Sequence, residues 1–261
     1  MITISFVIPV YNEVERIDKT FKALERGVTF RGIKLEKIIF VNDGSTDRTK
    51  FRIQSSKFRI EKATKAKIEI VSYKENRGKG YAIREGLKVS ESDYTLFFDT
   101  DMSTPLSELN KFVPFMKKGV DFIIGTRKNG HSTVIKHQPF YREMLGRGFT
   151  LLSNMILNTW VTDFTCGFKA IKKEVKNLIV FHAKVDRWGY DAEFIFLIKN
   201  LGCTIQEIPV KWTNDERSKV NVIKDLPQVL MDLVSIRLAN ASYKSSSSKK
   251  LTLRLENPFE Q

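Results

Sequence analysis

Short apolar runs alternate along the chain with segments whose hydrophobic residues recur at helical spacing. The first run, 3–10, predicts a buried strand, and 15–26 follows it with Ile17, Phe21 and Leu24 spaced along one helix face. Runs of the same kind predict further strands over 37–41, 68–73, 94–98 and 122–124. Strands separated by helices are typical of a mostly parallel central sheet with helices on both faces, so we expect an α/β fold.

The second half of the chain is more helical. Helices are predicted over 141–157, 191–201 and 222–239, and a strand over 204–210. In the first of these helices one face is expected to carry the apolar residues Leu145, Phe149, Leu152 and Ile156. From Tyr243 the composition shifts to serine and lysine. We therefore expect one folded domain over 1–221, an amphipathic C-terminal helix over 222–242 and a disordered polar tail over 243–261.

The amino-acid composition limits the classes of partner that the chain is expected to bind. Lys and Arg total 44 against 30 Asp and Glu, a net charge of +14 that favours phosphates, nucleic acid or an anionic membrane surface. Only Cys166 and Cys203 are present, without a CxxC, which excludes a disulfide scaffold and fits a reducing compartment. The N-terminus lacks a signal-peptide pattern, and the longest uncharged stretch, 148–162, is too short to span a bilayer. We expect no membrane crossing.

Polar clusters follow the predicted strands at the points where they end. Asn12 and Glu13 follow the first strand, 42–45 the second, Asp99-Thr100-Asp101 the fourth and 125–127 the fifth. Ligands of parallel α/β sheets bind beyond the carboxyl ends of the strands. The clusters therefore predict one binding site along this edge of the sheet.

Asp99 and Asp101 are the sharpest chemical feature. Two carboxylates at a strand end suit Mg²⁺ or Mn²⁺, which prefers one or two carboxylates together with phosphate oxygens and water. Such a cation would neutralise the charge of a departing diphosphate. The alternative is a pair of solvated turn carboxylates.

Other candidates point to further phosphate contacts. Asp43 either accepts hydrogen bonds from a base or ribose or forms an Asx-turn. Lys79, between glycines, either reaches a phosphate or is an exposed charge at a helix start. Cationic side chains that suit a second phosphate are those of Arg127, Arg142, Arg147 and Lys219.

In this order, the motifs resemble family-2 glycosyltransferases of the GT-A fold. The stretches 7–13, 41–47, 76–80 and 99–103 follow the donor-site order of that family. The later stretches resemble its branch that acts on polyprenyl phosphates such as dolichyl phosphate; they are 125–127, 142–148, 163–169, 187–193, 207–212 and 218–219. The resemblance covers about 3–238 and implies a nucleotide-diphospho-sugar transferase.

The resemblance also implies roles for individual residues. The nucleotide would be held by Pro9, Tyr11, Asn12, Glu13, Asp43 and Lys79. Asp99 and Asp101 would serve the donor and a Mg²⁺ or Mn²⁺ ion. The acceptor phosphate would be held by Arg127, Arg147 and Lys219.

The acceptor decides the chemistry. A phosphate monoester has its second pKa near 6, so it is a nucleophile at neutral pH and needs cations but no strong base. We expect inverting transfer of a hexose, glucose from UDP-glucose first and mannose from GDP-mannose second. If the acceptor were a saccharide hydroxyl, a base would be needed, and Asp163 is the candidate. A basic nucleic-acid or lipid binding protein is the non-enzymatic alternative, but no nucleic-acid-binding motif occurs.

Attachment is expected at the cytoplasmic face of a membrane. The segments 141–157 and 222–239 fit binding to an anionic membrane surface, being apolar on one face with Lys and Arg nearby. The alternatives are that these faces pack against the sheet or a second subunit, or that a membrane protein recruits the chain.

Overall fold

The computed structural model describes residues 1–26, 30–128, 130–215 and 222–239, with the backbone path alone for 222–226. The predicted tail over 243–261 and Lys219 lie outside the described residues. The strands are β1 Ile2–Val10, β2 Ile33–Asp43, β3 Lys67–Tyr73, β4 Tyr94–Phe97, β5 Phe122–Thr126, β6 Thr133–Lys136, β7 Lys169–Lys172, β8 Ile205–Pro209 and β9 Lys211–Thr213. The helices are α1 Ile17–Glu25, α2 Thr49–Thr64, α3 Lys79–Lys88, α4 Val113–Lys117, α5 Phe140–Leu157, α6 Lys173–His182, α7 Tyr190–Asn200 and α8 Val222–Ala239, with a 3-10 helix over Leu106–Lys111.

Seven strands form the central sheet in the order β3-β2-β1-β4-β7-β5-β8. Every neighbouring pair is parallel except those of β7, which runs antiparallel to both β4 and β5. The strands β6 and β9 form a separate parallel pair. The mostly parallel α/β sheet predicted from the sequence is confirmed.

The sheet is buried on both faces because helices cover each side. Ile4, Phe6 and Ile8 of β1 pack on the side of α1, α2 and the 3-10 helix. Val7 of the same strand packs on the opposite side with α3, α6, α7 and Leu233 of α8. Burial on both sides explains why the second half of β1, 6–10, is a continuous apolar run without alternation.

The predicted elements are present, with small shifts at their ends. The strand expected over 37–41 extends to Ile33–Asp43, and the helix expected over 15–26 covers Ile17–Glu25. The strands β6, β7 and β9, the helices α4 and α6 and the 3-10 helix were not predicted, and no ranges were predicted for α2 and α3. The strand β7 is four residues long and begins and ends with a lysine, so its apolar signal is weak.

Candidate active site

The loops after β1 and β2 are joined by hydrogen bonds at the carboxyl edge of the sheet. Asn12 adopts a left-handed conformation with φ of 51°, and its Oδ1 accepts hydrogen bonds from the backbone N–H of Thr46 (2.8 Å) and Asp47 (3.3 Å). The N–H of Glu13 donates to Thr49 Oγ1 over 2.8 Å. Asn12 therefore uses its carboxamide oxygen to fix this edge, a role that the resemblance did not imply.

Glu13 and Tyr11 differ in what they present at this edge. The carboxylate of Glu13 is buried and accepts a 2.7 Å hydrogen bond from Arg16 Nε, so Arg16 neutralises it. Tyr11 is exposed, and Pro9 lies half-buried near the end of β1. Tyr11 and Pro9 thus have accessible surface for the predicted nucleotide contact, whereas Glu13 is held by its neighbour.

Asp43 is the buried anchor of the loop that leads into α3. Its carboxylate accepts hydrogen bonds from Asn76 Nδ2 (2.8 Å) and from the N–H groups of Arg77 (2.8 Å) and Gly78 (2.9 Å). These donors take up most of the accepting capacity of the carboxylate, so Asp43 has a structural role in this loop. Its contact with a base or ribose stays a prediction.

Gly78 allows the same loop to pack closely. Its φ is 110°, and a Cβ there would lie 2.5 Å from the carbonyl oxygen of Asp186. Only glycine fits such a conformation and approach. The loop therefore starts α3 at a fixed place, with Lys79 as its first residue.

Lys79 meets the first of the two strand-end carboxylates. Its Nζ lies 2.5 Å from Asp99 Oδ1. Burial acts to lower the pKa of the Lys79 ammonium, but Asp99, Asp191 and Asp101 outweigh burial and raise it. Lys79 is therefore a firmly protonated cation beside Asp99, as a phosphate-binding lysine would need to be.

Asp99 and Asp101 have opposite electrostatic environments. Burial acts to raise the pKa of Asp99, but Lys79 and Lys169 hold it below its ordinary value. Burial and the neighbouring charge of Asp99 raise the pKa of Asp101, whose Oδ1 accepts a 2.8 Å hydrogen bond from the N–H of Ser103. The negative charge of the two carboxylates is therefore only partly neutralised by the neighbouring lysines.

These two carboxylates fit a divalent cation that is shared with a substrate. Among the residues that the structure describes, no group of three or more acidic, histidine or cysteine side chains could hold a metal ion. Mg²⁺ and Mn²⁺ take one or two carboxylates and complete their coordination with water and phosphate oxygens. Asp99 and Asp101 supply that donor set and no more.

Gly167 shapes the side of Asp99 that faces away from Lys79. A Cβ on Gly167 would lie 2.2 Å from Asp99 Oδ2, so any larger residue would displace the carboxylate. Two residues further on, Lys169 donates to the carbonyl oxygen of Cys166 (2.6 Å) and forms a 2.5 Å ion pair with Asp191. The segment 166–169 thus supports the side of the site that carries Asp99.

Arg127, at the end of β5, is held by Asp163. Its Nε donates to Asp163 Oδ2 (2.7 Å) and its Nη2 to Oδ1 (2.9 Å) and to Thr165 Oγ1 (2.7 Å). The guanidinium carbon lies 5.1 Å from the centre of the Trp212 ring. Two parallel bonds fix the plane of the guanidinium, and its Nη1 makes no hydrogen bond within the described residues.

The structure argues against Asp163 as a catalytic base. Its side chain is 0% exposed, and its carboxylate accepts bonds from Arg127 and Thr165. Burial acts to raise the pKa of Asp163, but Arg127 and Lys128 outweigh burial and hold it far below its ordinary value. A carboxylate so stabilised in its charged form is a poor proton acceptor, and Asp163 instead orients Arg127.

Lys128 and Arg147 extend the positive charge around Arg127. Lys128 Nζ donates to the carbonyl oxygen of Gly146 (3.0 Å) and to Thr150 Oγ1 (2.9 Å), both on α5. Burial lowers the pKa of Lys128, and the charges of Arg127 and Arg147 lower it further. Because the charges of Arg127 and Arg147 both act on Lys128, the three cations form one group, which we call the basic cluster.

The sequence did not single out Lys128 or assign a role to the Lys169–Asp191 pair. Lys128 follows directly after the predicted Arg127, but nothing in its spacing shows that it turns back onto α5. Asp191 lies in the apolar stretch 190–198, where a charged residue is buried only with a partner. The position of Asp191 in an apolar stretch could therefore have indicated a buried ion pair.

The chain is similar to known glycosyltransferases. The family model described as "Glycosyl transferase family 2" matches residues 5–178. A dolichyl-phosphate beta-glucosyltransferase of Dictyostelium discoideum is 29% identical over 248 residues, which are 90% of this chain and 74% of the relative. The dolichyl-phosphate beta-glucosyltransferase of Saccharomyces cerevisiae is 30% identical over 257 residues, 91% of this chain and 75% of the relative.

A solved structure shares the fold. Glucosyl-3-phosphoglycerate synthase from Mycobacterium tuberculosis, in complex with Mn²⁺, UDP and glucosyl-3-phosphoglycerate, superposes with a TM-score of 0.65 at 19% identity, covering 92% of this chain and 80% of that one. At this identity the likeness shows the fold alone, and it confirms the predicted GT-A-like architecture.

Proposed function

This chain belongs to glycosyl transferase family 2, and from that premise we propose that it transfers glucose from UDP-glucose to dolichyl or another polyprenyl phosphate. Two relatives that match about nine tenths of the chain are named for transfer to dolichyl phosphate. The observation that carries the proposal is the placement of two charged groups at one sheet edge. Lys79 and the acidic pair stand on one side, and the basic cluster stands on the other.

The environment of Asp163 favours a phosphate acceptor over a hydroxyl. Asp163 was the candidate for activating a hydroxyl, and the structure commits its carboxylate to Arg127. A phosphate monoester needs no deprotonation by the protein at neutral pH, because its second pKa is near 6. The basic cluster is suited to hold such an anion close to a donor that is itself negative. Attack from the side opposite the diphosphate would invert the anomeric centre.

On the donor side, Asp99 and Asp101 would hold a Mg²⁺ or Mn²⁺ ion, which supplies positive charge for the departing diphosphate. Lys79 would contribute a second positive charge from the start of α3. The loop held by Asp43 would support the base of the nucleotide. The solved synthase that shares this fold binds UDP with Mn²⁺, which favours uridine as the first nucleotide to test.

The hydrocarbon chain of the proposed acceptor lies in a bilayer, so the reaction would take place at a membrane surface. Among the described residues, no helix has both the length and the apolar content to cross a bilayer. We propose peripheral attachment on the cytoplasmic side. The net charge of +14 favours an anionic surface there, since each cation near such a surface contributes about 1 kcal/mol.

The direct test is transfer of radiolabelled sugar into lipid extractable by organic solvent. The purified full chain is incubated with dolichyl phosphate, Mn²⁺ and, in separate reactions, labelled UDP-glucose or GDP-mannose. We expect label in the lipid with UDP-glucose. Transfer of mannose instead would assign the alternative donor, and no transfer with any common nucleotide sugar would refute the proposal.

Asp101→Ala tests the role of the acidic pair in the same assay. Loss of a metal-binding carboxylate should lower turnover by at least about a hundredfold, since metal and leaving-group stabilisation supply several kcal/mol. Circular dichroism of the variant controls for folding. Retained turnover in a folded Asp101→Ala protein would remove the metal role assigned to this residue.

A further inference from the structure

Helix α5 is arranged with its polar residues inward and its apolar residues outward. Thr150, Ser153 and Asn154 are buried, with Leu157. The exposed side carries large apolar residues, which are Phe140 (76% exposed), Tyr141 (62%), Met144 (56%), Leu145 (37%), Leu151 (58%), Leu152 (39%) and Met155 (64%). We call these seven residues the outer face of α5. Of the four residues predicted to share one apolar face, Leu145 and Leu152 are exposed, and Phe149 and Ile156 are half-buried.

Hydrogen bonds explain why the polar side faces inward. Thr150 Oγ1 accepts from Lys128 Nζ (2.9 Å), which ties the middle of the helix to the basic cluster. The carboxamide of Asn154 donates to the carbonyl oxygen of Val161 (2.8 Å) and accepts from its N–H (3.0 Å). These buried bonds fix the rotation of α5 about its axis. The helix therefore cannot turn its apolar side into the core without leaving polar groups unsatisfied.

The apolar surface continues beyond α5. Trp160, just after the helix, is 64% exposed and adopts φ of 56°, with its Nε1 bonded to Asn158 Oδ1. Helix α8 packs beside α5 and buries Leu233 and Ile236 in the core. Its other side exposes Met231 (63%), Val234 (50%) and Leu238 (71%). Exposed patches of this extent mark interaction surfaces, since soluble monomers rarely carry them.

We propose that the outer face of α5, with Trp160, inserts into the interfacial region of an anionic lipid bilayer. The proposal rests on the proposed function and adds the surface through which the enzyme would meet its acceptor. Charge favours this occupant over a second protein chain, because exposed cations lie on or just before the helices that carry the apolar residues, namely Lys136, Arg147 and Arg237. The acidic Glu143 on α5 is paired with His137 at 2.9 Å. Apolar residues bordered by cations fit acyl chains bordered by anionic headgroups.

Docking by this face would set the height of the active site above the membrane. Arg147 lies on the same helix as the inserted residues, and Lys128 is bonded to Gly146 and Thr150 of that helix. The basic cluster would then stand at the level of lipid phosphates. A polyprenyl phosphate could present its phosphate to Arg127 while its hydrocarbon chain stays in the bilayer.

Vesicle flotation with the full chain tests the docking surface. The vesicles consist of phosphatidylcholine with or without about one fifth of the anionic phosphatidylserine. The variant Leu151→Gln/Met155→Gln removes two outer-face residues one turn apart. The matched control is Phe51→Gln/Phe58→Gln on α2, where Phe51 is 65% and Phe58 75% exposed. We expect at least about a tenfold loss of vesicle affinity in the α5 variant and less than about a twofold change in the control.

A short-chain prenyl phosphate that stays in solution separates this proposal from the proposed function. The α5 variant should glucosylate the soluble acceptor at the wild-type rate but lose activity on dolichyl phosphate in vesicles. Equal vesicle affinity of the wild type and the α5 variant would overturn the proposal. It would do so both if another segment binds the lipid and if the C-terminal residues cover α5. If light scattering shows that the wild type is a dimer and the α5 variant a monomer, a second copy of the chain covers the face instead. No transfer to either acceptor would refute the function, while the flotation result would stand.

Discussion

At the scale of single residues, the candidate site depends on contacts too close to tolerate an extra methyl group. Gly167→Ala would place a carbon within van der Waals overlap of Asp99 Oδ2. We expect the Asp99 carboxylate to shift, Mn²⁺ affinity to fall and turnover to drop at least about tenfold, because small displacements of catalytic groups are costly. Calorimetric Mn²⁺ titration in the presence of UDP, with transfer kinetics, measures both effects.

The matched control is Gly148→Ala on α5. Nothing lies within 4 Å of a Cβ at that position, and alanine favours a helix, so activity and stability should be kept. Wild-type Mn²⁺ affinity in Gly167→Ala would show that the Asp99 carboxylate does not depend on this contact.

We expect Lys128 to give acceptor binding by the basic cluster a pH dependence. Its pKa is lowered below the ordinary 10.5 by burial and by Arg127 and Arg147, so the amine loses its charge at lower pH than a typical lysine. If the cluster binds the acceptor phosphate, the KM for a soluble prenyl phosphate should rise in the alkaline range. Lys128→Arg should move that rise to higher pH, because arginine stays protonated. Identical alkaline profiles for wild type and Lys128→Arg would exclude a titrating role for Lys128.

Sequence reasoning at this scale found charges but not their partners. Asp99 and Asp101 were predictable because they directly follow an apolar strand. Asp163 was considered as a base because the sequence does not show that Arg127, 36 positions earlier, would bind it in a buried pair. The contacts of Lys128 and the partner of Asp191 were missed for the same reason, since contacts between distant segments leave no periodic signal.

At the scale of elements, β7 and α7 are linked by the ion pair of Lys169 and Asp191. Lys169 is 1% exposed, so Lys169→Met would leave Asp191 buried without its cation. Removal of one partner of a buried pair costs about 3–5 kcal/mol. We expect a loss of unfolding free energy near the lower end of that range, measured by urea denaturation.

The pH dependence of that loss has a definite sign. Burial already raises the pKa of Asp191, and removal of Lys169 would raise it further above the unfolded value. The folded variant then binds a proton more readily than the unfolded chain, so its stability falls as pH rises. The loss relative to wild type should be smaller at pH 5 than at pH 8. A loss independent of pH would show that Asp191 does not carry the uncompensated charge.

Elements were predictable where periodicity is strong, as for β1, α1 and the parallel strands. The rotation of α5 was not, because the hydrogen bonds of Thr150 and Asn154, rather than hydrophobicity, decide which side is buried. Likewise β7 depends on its place between β4 and β5, which its four residues do not reveal.

At the scale of the whole molecule, nucleotide and metal should stabilise the fold together. A ligand at a hundred times its Kd raises the free energy of unfolding by about 2.7 kcal/mol. We expect UDP with Mn²⁺ to raise Tm more than UDP or Mn²⁺ alone, with a smaller shift for GDP. Asp101→Ala should lose the increment due to Mn²⁺. A larger shift with GDP would reverse the expected choice of nucleotide.

The segment 163–169 contacts both the basic cluster and the acidic pair within seven residues. Asp163 accepts hydrogen bonds from Arg127, and Gly167 packs against Asp99. In the proposed function Arg127 meets the acceptor and Asp99 the donor, so this short stretch of backbone would couple the handling of the two substrates. Loop grafts that aim to retune one substrate through this stretch should disturb the other as well. Natural variation in lipid preference would accordingly be easier to accumulate on α5 than here.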